Sequence, residues 1–518
     1  MIKNPVLAGF HPDPSMICVD GTFHIANSTF EYFPGVKISS SRDLANWETQ
    51  PYPLDSVEML NMWGVPKSAG IWAPCLSFSN GLFYLAFTVV KDWADGPFKD
   101  TPNYITTAPS IKGPWSMPVF INCSGFDPSV FHDDDGRKYF VNMEWDYRES
   151  GEKQFSGILI TELDTVTLQP VSEPVKIFKG SPRGLVEGPH IYKKDGYYYL
   201  LTAEGGTTYN HAETVARSSK LFGPYEMHPK VHLVCCADAP EAYIQKSGHA
   251  SICQSPDGRW WVAFLSGRPL AGTANCPLGR ETSINEIIWE NGWPYLKNRT
   301  LVPDAAFEGY GEQKAKGPAR YGFGGEQFKP DFMNLRIPAR HDVLENGTLR
   351  LYGGDSPQSC FAQNMLVRRQ TDFSFTAETL VELPFDHFQR MAGLIYRYDE
   401  QNQYLLRLAY SEEKKCKCIG ILCFDHGEFS MPLGKDEIPV PGGYVHMRLT
   451  VINDKGIFAY SLDGERWTEI PYVIDVRKLS DEYATPMGFT GAFVGMSSID
   501  VADGHGYADF KHFVYSPR

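Results

Sequence analysis

The sequence predicts an all-β protein in which a five-bladed β-propeller is followed by a β-sandwich. Three observations lead to this prediction. A turn followed by an aromatic-rich strand occurs five times at nearly regular spacing. The repeat then gives way to runs of alternating apolar and polar residues, the pattern of half-buried strands. Finally, 14% of the 518 residues are aromatic and only 21% are charged, which is typical of a folded globular protein.

The repeat is defined by its turn. An Asp-Gly or Asn-Gly pair between apolar runs is a strong hairpin signal, because Gly takes a positive φ without steric cost. The turn glycines are 60, 55, 60 and 62 residues apart, which leaves room for about four strands per copy, as in a propeller blade. The copies are DGTFHIANST (from Asp20), NGLFYLAFTV (from Asn80), DGRKYFVNME (from Asp135), DGYYYLLTAE (from Asp195) and DGRWWVAFLS (from Asp257).

A second pattern begins after the last repeat, which ends near Trp293. The stretch at 306–325 is rich in Gly, Ala and Lys and is predicted to link two domains. From about Phe328, segments such as AGLIYRYDEQNQYLLRLAY (from Ala392) alternate as strands of a β-sandwich do. We therefore divide the chain into a propeller at 1–305, a linker at 306–325 and a sandwich at 326–518.

Composition excludes several classes of function. The net charge of −14 argues against nucleic-acid binding, which usually needs a basic face. No apolar run reaches the ~18 residues that suggest a membrane span. The N-terminal stretch MIKNPVLAGFHPDPS has no apolar signal region, and the 11 scattered cysteines favour free thiols in a reducing compartment. We expect a cytoplasmic protein that binds neither nucleic acid nor membrane.

One chemically distinctive residue precedes each turn glycine at nearly the same distance. Eight or nine positions before the five glycines stand Asp13, Trp72, Asp127, Glu187 and His249. Because the first strand of each blade lines the propeller axis, these residues are expected to converge on one pocket. Asp-Pro and Glu-Gly-Pro are also ordinary turn signals, and a lone His is often structural. Turns alone do not explain three carboxylates in one register.

Three carboxylates in one pocket indicate acid–base chemistry on a sugar. Two carboxyl groups that flank a glycosidic bond are the minimum needed for its hydrolysis. A third can orient the acid and raise its pKa by like-charge repulsion. Arg280, in CPLGRET, is a candidate for binding a carboxylate or sugar hydroxyls. Candidates for stacking on sugar faces are Phe30, Trp72, Phe126 and Trp145.

These motifs resemble those of glycoside hydrolase family 43, and within it the β-xylosidases with a C-terminal, concanavalin-like β-sandwich. The matching stretches are NPVLAGFHPDPS, STFEYFPGV, GIWAPCLS, GFDPSVFHDDDGRKY, VEGPHIY, TAEGGTTYNHAET, SGHAS and CPLGRET, with FTGAFVGM in the second domain. The resemblance implies an exo-acting, inverting enzyme. It would release xylose from the non-reducing end of β-1,4-xylooligosaccharides.

The resemblance also implies residue roles. Asp13 would be the general base that activates water, and Glu187 the general acid. Asp127 would orient Glu187 and raise its pKa, and Arg280 would contact Asp127 and the bound sugar. Phe489, from the sandwich, would close the pocket wall. The other pocket residues implied by the match are Phe30, Trp72, Phe126, Trp145 and Thr207.

No cofactor is required by this chemistry. His249 matches an axial histidine that lies beside a calcium ion in some relatives, so it is a candidate for a Ca²⁺ site near the propeller axis. The expected binding partners are a xylooligosaccharide or arabinose-substituted oligosaccharide substrate and further copies of the chain in a homo-oligomer.

Other functions stay open at this point. An α-L-arabinofuranosidase, or a bifunctional enzyme, of the same family would share the catalytic residues and would act on arabinose-substituted oligosaccharides. A non-catalytic sugar-binding propeller would have no need of three carboxylates that repel one another. A fructan-cleaving propeller should carry an N-D-P-N-G-like motif, which is absent.

Overall fold

A computed structural model of the protein describes residues 1–94, 96–315 and 317–518. Within these ranges nearly all regular structure is β-strand. The only helices there are three short 3₁₀ helices, at Gly151–Gln154, Glu326–Phe328 and Val476–Lys478. None of them has the length or the apolar character needed to cross a membrane.

Five four-stranded antiparallel sheets form the first half of the molecule. They are β2-β3-β5-β6, β7-β8-β9-β10, β11-β12-β13-β14, β15-β16-β17-β18 and β19-β20-β21-β22. The strands of these sheets are β2 (Ser15–Val19), β3 (Thr22–Asn27), β5 (Lys37–Ser41), β6 (Glu48–Thr49), β7 (Gly70–Ser79), β8 (Leu82–Val90), β9 (Asn103–Ala108), β10 (Val119–Asn122), β11 (Ser129–His132), β12 (Lys138–Trp145), β13 (Phe155–Leu163), β14 (Val175–Phe178), β15 (Glu187–Lys194), β16 (Tyr197–Glu204), β17 (Ala212–Ser218), β18 (Glu226–Cys235), β19 (Gln245–Gln254), β20 (Trp260–Gly267), β21 (Glu281–Glu290) and β22 (Trp293–Leu296). Three short strands lie outside the five sheets: β1 (Ile2–Lys3), β4 (Tyr32–Phe33) and β23 (Ala306–Phe307).

The first strand of each sheet faces the centre of a closed ring. Strand β2 packs against β7 and β19, and β11 packs against β7 and β15. The start of the chain joins the ring to its end, because β1 pairs with β23. The Asn4 side chain also exchanges two hydrogen bonds with the backbone of Ile284, at 2.8 and 2.9 Å. The predicted five-bladed propeller is confirmed.

Two large sheets form the second half of the molecule. One has the order β26-β27-β39-β29-β35-β36-β37, with β24 on β39, and the other has the order β28-β38-β30-β31-β32-β33, with β34 on β32. The predicted β-sandwich is confirmed. Its strands are β24 (Ala319–Gly322), β26 (His341–Val343), β27 (Leu349–Tyr352), β28 (Met365–Arg369), β29 (Ser374–Glu382), β30 (Arg390–Arg397), β31 (Gln403–Ser411), β32 (Cys416–Asp425), β33 (Glu428–Ser430), β34 (Ile438–Val440), β35 (Val445–Ile452), β36 (Lys455–Ser461), β37 (Thr468–Asp475), β38 (Phe493–Asp500) and β39 (Tyr507–Pro517). Strand β25 (Asn334–Leu335) lies outside the two sheets.

The segment at 306–325, predicted as a linker, has a short strand near each end. Strand β23 belongs to the propeller through its pairing with β1, and β24 belongs to the sandwich through its pairing with β39. The described residues between the two strands have no strand assignment. The division of the chain at 305 and 326 stays a prediction.

The two domains share a buried junction. Strand β25 of the sandwich segment pairs with β4 of the propeller. The rings of Tyr32 and Phe493 stack across the junction with centroids 3.9 Å apart. Next to them, the Arg336 guanidinium forms an ion pair with Glu400 at 2.8 Å, and the Arg336 N–H donates to the Glu31 carbonyl at 2.7 Å. The sandwich therefore packs directly against the propeller.

Candidate active site

A cavity of about 260 Å³ lies at the propeller axis, between the blades and the sandwich. It brings together every predicted site residue except Trp145. Its lining residues are Asp13, Phe30, Trp72, Trp93, Lys99, Phe126, Asp127, Phe155, Leu185, Glu187, Gly206, Thr207, Thr208, His211, His249, Leu265, Arg280, Met487 and Phe489.

A backbone kink that all five blades share positions the axial residues. Asp13, Asp127 and His249 have positive φ angles of 51°, 56° and 50°. In the second and fourth blades the kink falls one residue later, at Ala73 (31°) and Gly188 (59°). Non-glycine residues in this region cost energy and cluster at functional sites. The register found in the sequence thus corresponds to one backbone conformation that is repeated in each blade, at or next to the axial residue.

Asp13 is held through both carboxylate oxygens. Ser28 Oγ donates to Oδ2 at 2.6 Å, and Arg280 Nη1 donates to Oδ1 at 2.8 Å. His249 Nδ1 lies 3.9 Å from Oδ1. Charge-assisted hydrogen bonds of this kind are among the strongest in proteins, so the carboxylate has a defined orientation toward the cavity.

Arg280 differs from the expectation in its carboxylate partner. The resemblance implied a contact with Asp127, but the guanidinium donates instead to Asp13 and, through Nη2, to the Phe489 carbonyl at 2.9 Å. The reason is ring closure: the His11 N–H donates to the Arg280 carbonyl at 2.9 Å. This backbone contact brings the first blade beside the residue that precedes β21.

Glu187 lies at the first position of β15, partly exposed to the cavity. Burial and then the negative charge of Asp13 raise the pKa of Glu187 to about 8, while the charges of Arg280 and Lys99 oppose the rise. A carboxyl group with this pKa is protonated at neutral pH, as a general acid must be.

Asp127 supports the residue next to Glu187. Its Oδ2 accepts a hydrogen bond from the Gly188 N–H at 3.0 Å, which fits the orienting role that the resemblance implied. Burial, followed by the charges of Glu187 and Asp13, raises the pKa of Asp127 well above its usual range. The charge repulsion between Asp127 and Glu187 is mutual, so it fits the pKa-raising role that the resemblance implied for Asp127.

Aromatic rings form the cavity wall. The Trp72 ring lies 6.0 Å from Phe30, 5.3 Å from Phe126 and 5.7 Å from Phe489, measured between centroids. Ser68 holds two of these residues, because its carbonyl accepts from Trp72 Nε1 at 3.0 Å and its Oγ accepts from the Phe489 N–H at 3.1 Å. Phe489 thus completes the wall from the sandwich, at the position that the resemblance implied.

Trp145 stands behind the cavity lining. Its ring packs against Phe126 and Phe155, with centroids at 6.4 and 5.3 Å, and Lys99 Nζ lies 4.4 Å above it. Lys99 and Trp93 line the cavity but were missed by sequence reasoning. They lie in the segment between β8 and β9, for which no turn glycine provides a register. Their only signal was a composition of charged and aromatic residues, KDWADGPFKD.

His249 lies on the axis, but its surroundings do not suit calcium. Ca²⁺ takes about six to eight oxygen ligands, whereas the oxygens of the neighbouring Asp13 already accept from Ser28 and Arg280. In the described part of the chain, no group of three or more His, Cys, Asp or Glu side chains is arranged to hold a metal ion. Burial lowers the pKa of His249, which favours a neutral imidazole. The calcium site stays a prediction, and no step below depends on it.

Three carboxyl groups at the axis of a five-bladed propeller, in a small cavity walled by aromatic rings, define a glycoside hydrolase. Comparison with protein families agrees with this class. Residues 2–294 match the model for glycosyl hydrolases family 43. Residues 320–516 match the β-xylosidase C-terminal concanavalin A-like domain. The chain belongs to glycoside hydrolase family 43.

Individual relatives match over the full length of the chain. The chain is 42% identical to a β-xylosidase of Bacillus subtilis (strain 168), covering 100% of both sequences. It is 43% identical to xylosidase/arabinosidase 43B of Humicola insolens, covering 100% of this chain and 98% of that protein. The solved structure of xylan β-1,4-xylosidase from Bacillus halodurans C-125 is similar with a TM-score of 0.96 and 42% identity, covering 100% of both chains. The predicted family is confirmed.

Proposed function

We propose that the protein is an exo-acting, inverting β-xylosidase that removes xylose from the non-reducing end of β-1,4-xylooligosaccharides. The observation that carries the proposal is the contrast between two carboxyl groups in one cavity. Glu187 has a pKa raised to about 8, whereas Asp13 accepts hydrogen bonds from Ser28 and Arg280 through both oxygens. A carboxyl group that keeps its proton can donate it as an acid, and a carboxylate held in place by two hydrogen-bond donors can serve as the base that accepts a proton from water.

The proposed reaction uses these groups in one displacement. Glu187 donates its proton to the glycosidic oxygen as the bond from that oxygen to the anomeric carbon breaks. A water molecule attacks the anomeric carbon from the opposite face and gives its proton to Asp13. Asp127 keeps Glu187 in place through the Gly188 N–H. Exchange of protons with solvent then restores both carboxyl groups for the next turnover.

Exo action is proposed from the shape of the cavity. Phe489 and Met487, from the sandwich, stand over the axial residues of the propeller and form part of the lining. A small cavity covered in this way favours a chain end over the middle of a polymer. The names of the relatives support xylose as the released sugar.

The stereochemistry of the first product tests the proposed reaction. Xylotriose should yield xylose and xylobiose, with the new xylose in the α configuration before mutarotation. Time-resolved proton NMR of the anomeric signals measures this directly. Release of β-xylose first would contradict inversion, and random mid-chain products from xylan would contradict exo action.

A second candidate activity is α-L-arabinofuranosidase, alone or beside xylosidase. It is supported by the xylosidase/arabinosidase name of the Humicola insolens relative. Aryl β-xyloside and aryl α-arabinofuranoside, compared at equal enzyme concentration, separate the two activities. The cytoplasmic location and the homo-oligomer stay predictions.

A further inference from the structure

Two consecutive propeller residues, Lys67 and Ser68, hold three aromatic residues of the cavity wall. The Lys67 carbonyl accepts a hydrogen bond from Trp93 Nε1 at 3.1 Å. The Ser68 carbonyl accepts from Trp72 Nε1 at 3.0 Å, and Ser68 Oγ accepts from the Phe489 N–H at 3.1 Å. All three aromatic residues line the cavity. The place of these rings therefore depends on where the backbone of Lys67 and Ser68 lies.

Ser68 has a backbone conformation that its neighbours must maintain. Its φ of 57° costs energy for a residue other than glycine, and such conformations persist where surrounding contacts hold them. Ser68 is buried, and its N–H donates to Glu31 Oε2 at 3.1 Å. The remaining contacts that hold this stretch come from the side chain of Lys67.

That side chain fastens the stretch to the sandwich. The Lys67 ammonium forms an ion pair with Asp399 Oδ2 at 3.2 Å, and it donates to Gln401 Oε1 at 2.7 Å and to the Thr485 carbonyl at 3.1 Å. The side chains of Lys67 and Asp399 are only 16% and 1% exposed. Thr485 lies two residues before Met487, which lines the cavity from the sandwich. Lys67 thus contacts the sandwich through its ammonium and a ring of the propeller wall through its carbonyl.

We infer that Lys67 is a positioning residue, which fixes the propeller part of the cavity wall relative to the sandwich part. The inference rests on the proposed β-xylosidase function. Lys67 is not among the residues that line the cavity, so it acts through Trp93 and the segment that carries Phe489. Within the described residues, its hydrogen bonds and ion pair do not reach Asp13 or Glu187. Its loss should therefore weaken sugar binding more than it slows bond cleavage.

Steady-state kinetics of Lys67→Met on xylobiose test this role. KM should rise about 3- to 10-fold, the loss expected when aromatic contacts weaken, while kcat should stay within about twofold of the wild type. Lys67→Arg keeps the charge and should recover most of the affinity. Asp399→Asn should raise KM in the wild type but not further in Lys67→Met, because the two residues act through one ion pair. If Lys67→Met does not fold, Asp399→Asn alone carries the test.

The matched control is Lys417→Met, which breaks an ion pair elsewhere in the molecule. The Lys417 side chain is 10% exposed and its Nζ lies 2.6 Å from Asp386, and neither residue lines the cavity. This variant should leave KM unchanged. An unchanged KM in Lys67→Met, or an equal rise in Lys417→Met, would overturn the positioning role and leave the proposed function standing. A wild type without activity on xylobiose would overturn both.

Discussion

The three axial carboxyl groups have different neighbours, and these neighbours distinguish what each group can do. Asp13 accepts from a hydroxyl and a guanidinium, and Asp127 accepts from the backbone beside Glu187. Glu187 faces the cavity, where burial and Asp13 raise its pKa and two cations oppose the rise. The residue types alone, two Asp and one Glu, do not reveal this division.

Lys99→Met tests the electrostatic setting of Glu187. Without the Lys99 charge the Glu187 carboxylate is less stabilised, so Glu187 should stay protonated to higher pH. The alkaline limb of the kcat/KM profile on xylobiose, which reports the free enzyme, should therefore move upward. The control is Lys112→Met, which replaces an exposed lysine outside the cavity lining. This variant should leave the pH of the alkaline limb unchanged. A limb at or below the wild-type pH in Lys99→Met would contradict this assignment.

At the residue scale, the sequence predicted the axial residues because each precedes a countable turn. It missed Lys99 and Trp93, which lie in a segment without a repeated landmark. The family resemblance placed Arg280 beside Asp127, whereas the observed contact between Arg280 and Asp13 depends on how the first and last blades meet.

One segment of the sandwich decides whether the cavity is complete. Phe489 lies next to Thr490, whose carbonyl approaches Gly279 so closely that a Cβ there would be 2.3 Å from its oxygen. Gly279 also has a φ of +71°. Only glycine satisfies both conditions, so the turn before Arg280 and the Phe489 segment fit together through this residue.

Gly279→Ala should displace the Phe489 segment and lower kcat/KM on xylobiose by at least about tenfold, since small misplacements at an active site can cost about 10²-fold. The matched control is Gly272→Ala. Gly272 has a similar φ of +75° but nothing within 4 Å of an added Cβ, so it carries the backbone strain without the clash. Equal kcat/KM in the two variants would contradict the role of this contact.

At the element scale, the blades could be predicted because every copy contains the same turn and aromatic strand. Phe489 could be assigned only through the family resemblance. Its segment follows no repeat, and its place over the cavity results from contacts between residues far apart in the chain, such as Ser68 and Phe489.

The whole molecule depends on a buried junction that contains ionisable groups. Burial and the charge of Glu400 raise the pKa of Glu31 to about 7, although Arg336 and Arg397 oppose the rise. The folded protein therefore keeps a proton on Glu31 that the unfolded chain releases near pH 4.5. Between these pH values the folded state binds more protons, so this group's contribution to the free energy of unfolding falls as pH rises.

Glu31→Gln removes this titration while keeping an acceptor for the Ser68 N–H. The free energy of unfolding of the variant, relative to the wild type, should increase by about 1–3 kcal/mol between pH 5 and pH 8. Denaturant unfolding at the two pH values measures it, with the exposed Glu58→Gln as control. A difference that is flat or falls with pH would show that Glu31 does not titrate in this range.

At the scale of the molecule, the sequence predicted two domains because the hydrophobic pattern changes near Phe328. It did not predict the buried charges of the junction. Glu31, Arg336 and Glu400 stand in separate parts of the chain, and only the pairing of β4 with β25 brings the first two together.

Glu187 is proposed to donate the proton to the leaving sugar, and Glu187→Gln, assayed on two substrates, tests this role. The leaving group of xylobiose is a xylose unit that would depart as a poor alkoxide without the proton, so kcat/KM on xylobiose should fall by about 10²–10⁴-fold. A dinitrophenyl β-xyloside has a leaving group that departs unprotonated and should be affected much less. Asp13→Ala, which removes the base, should instead reduce both rates alike. Equal losses on the two substrates in Glu187→Gln would contradict the assignment and make Asp127 the better candidate for the acid.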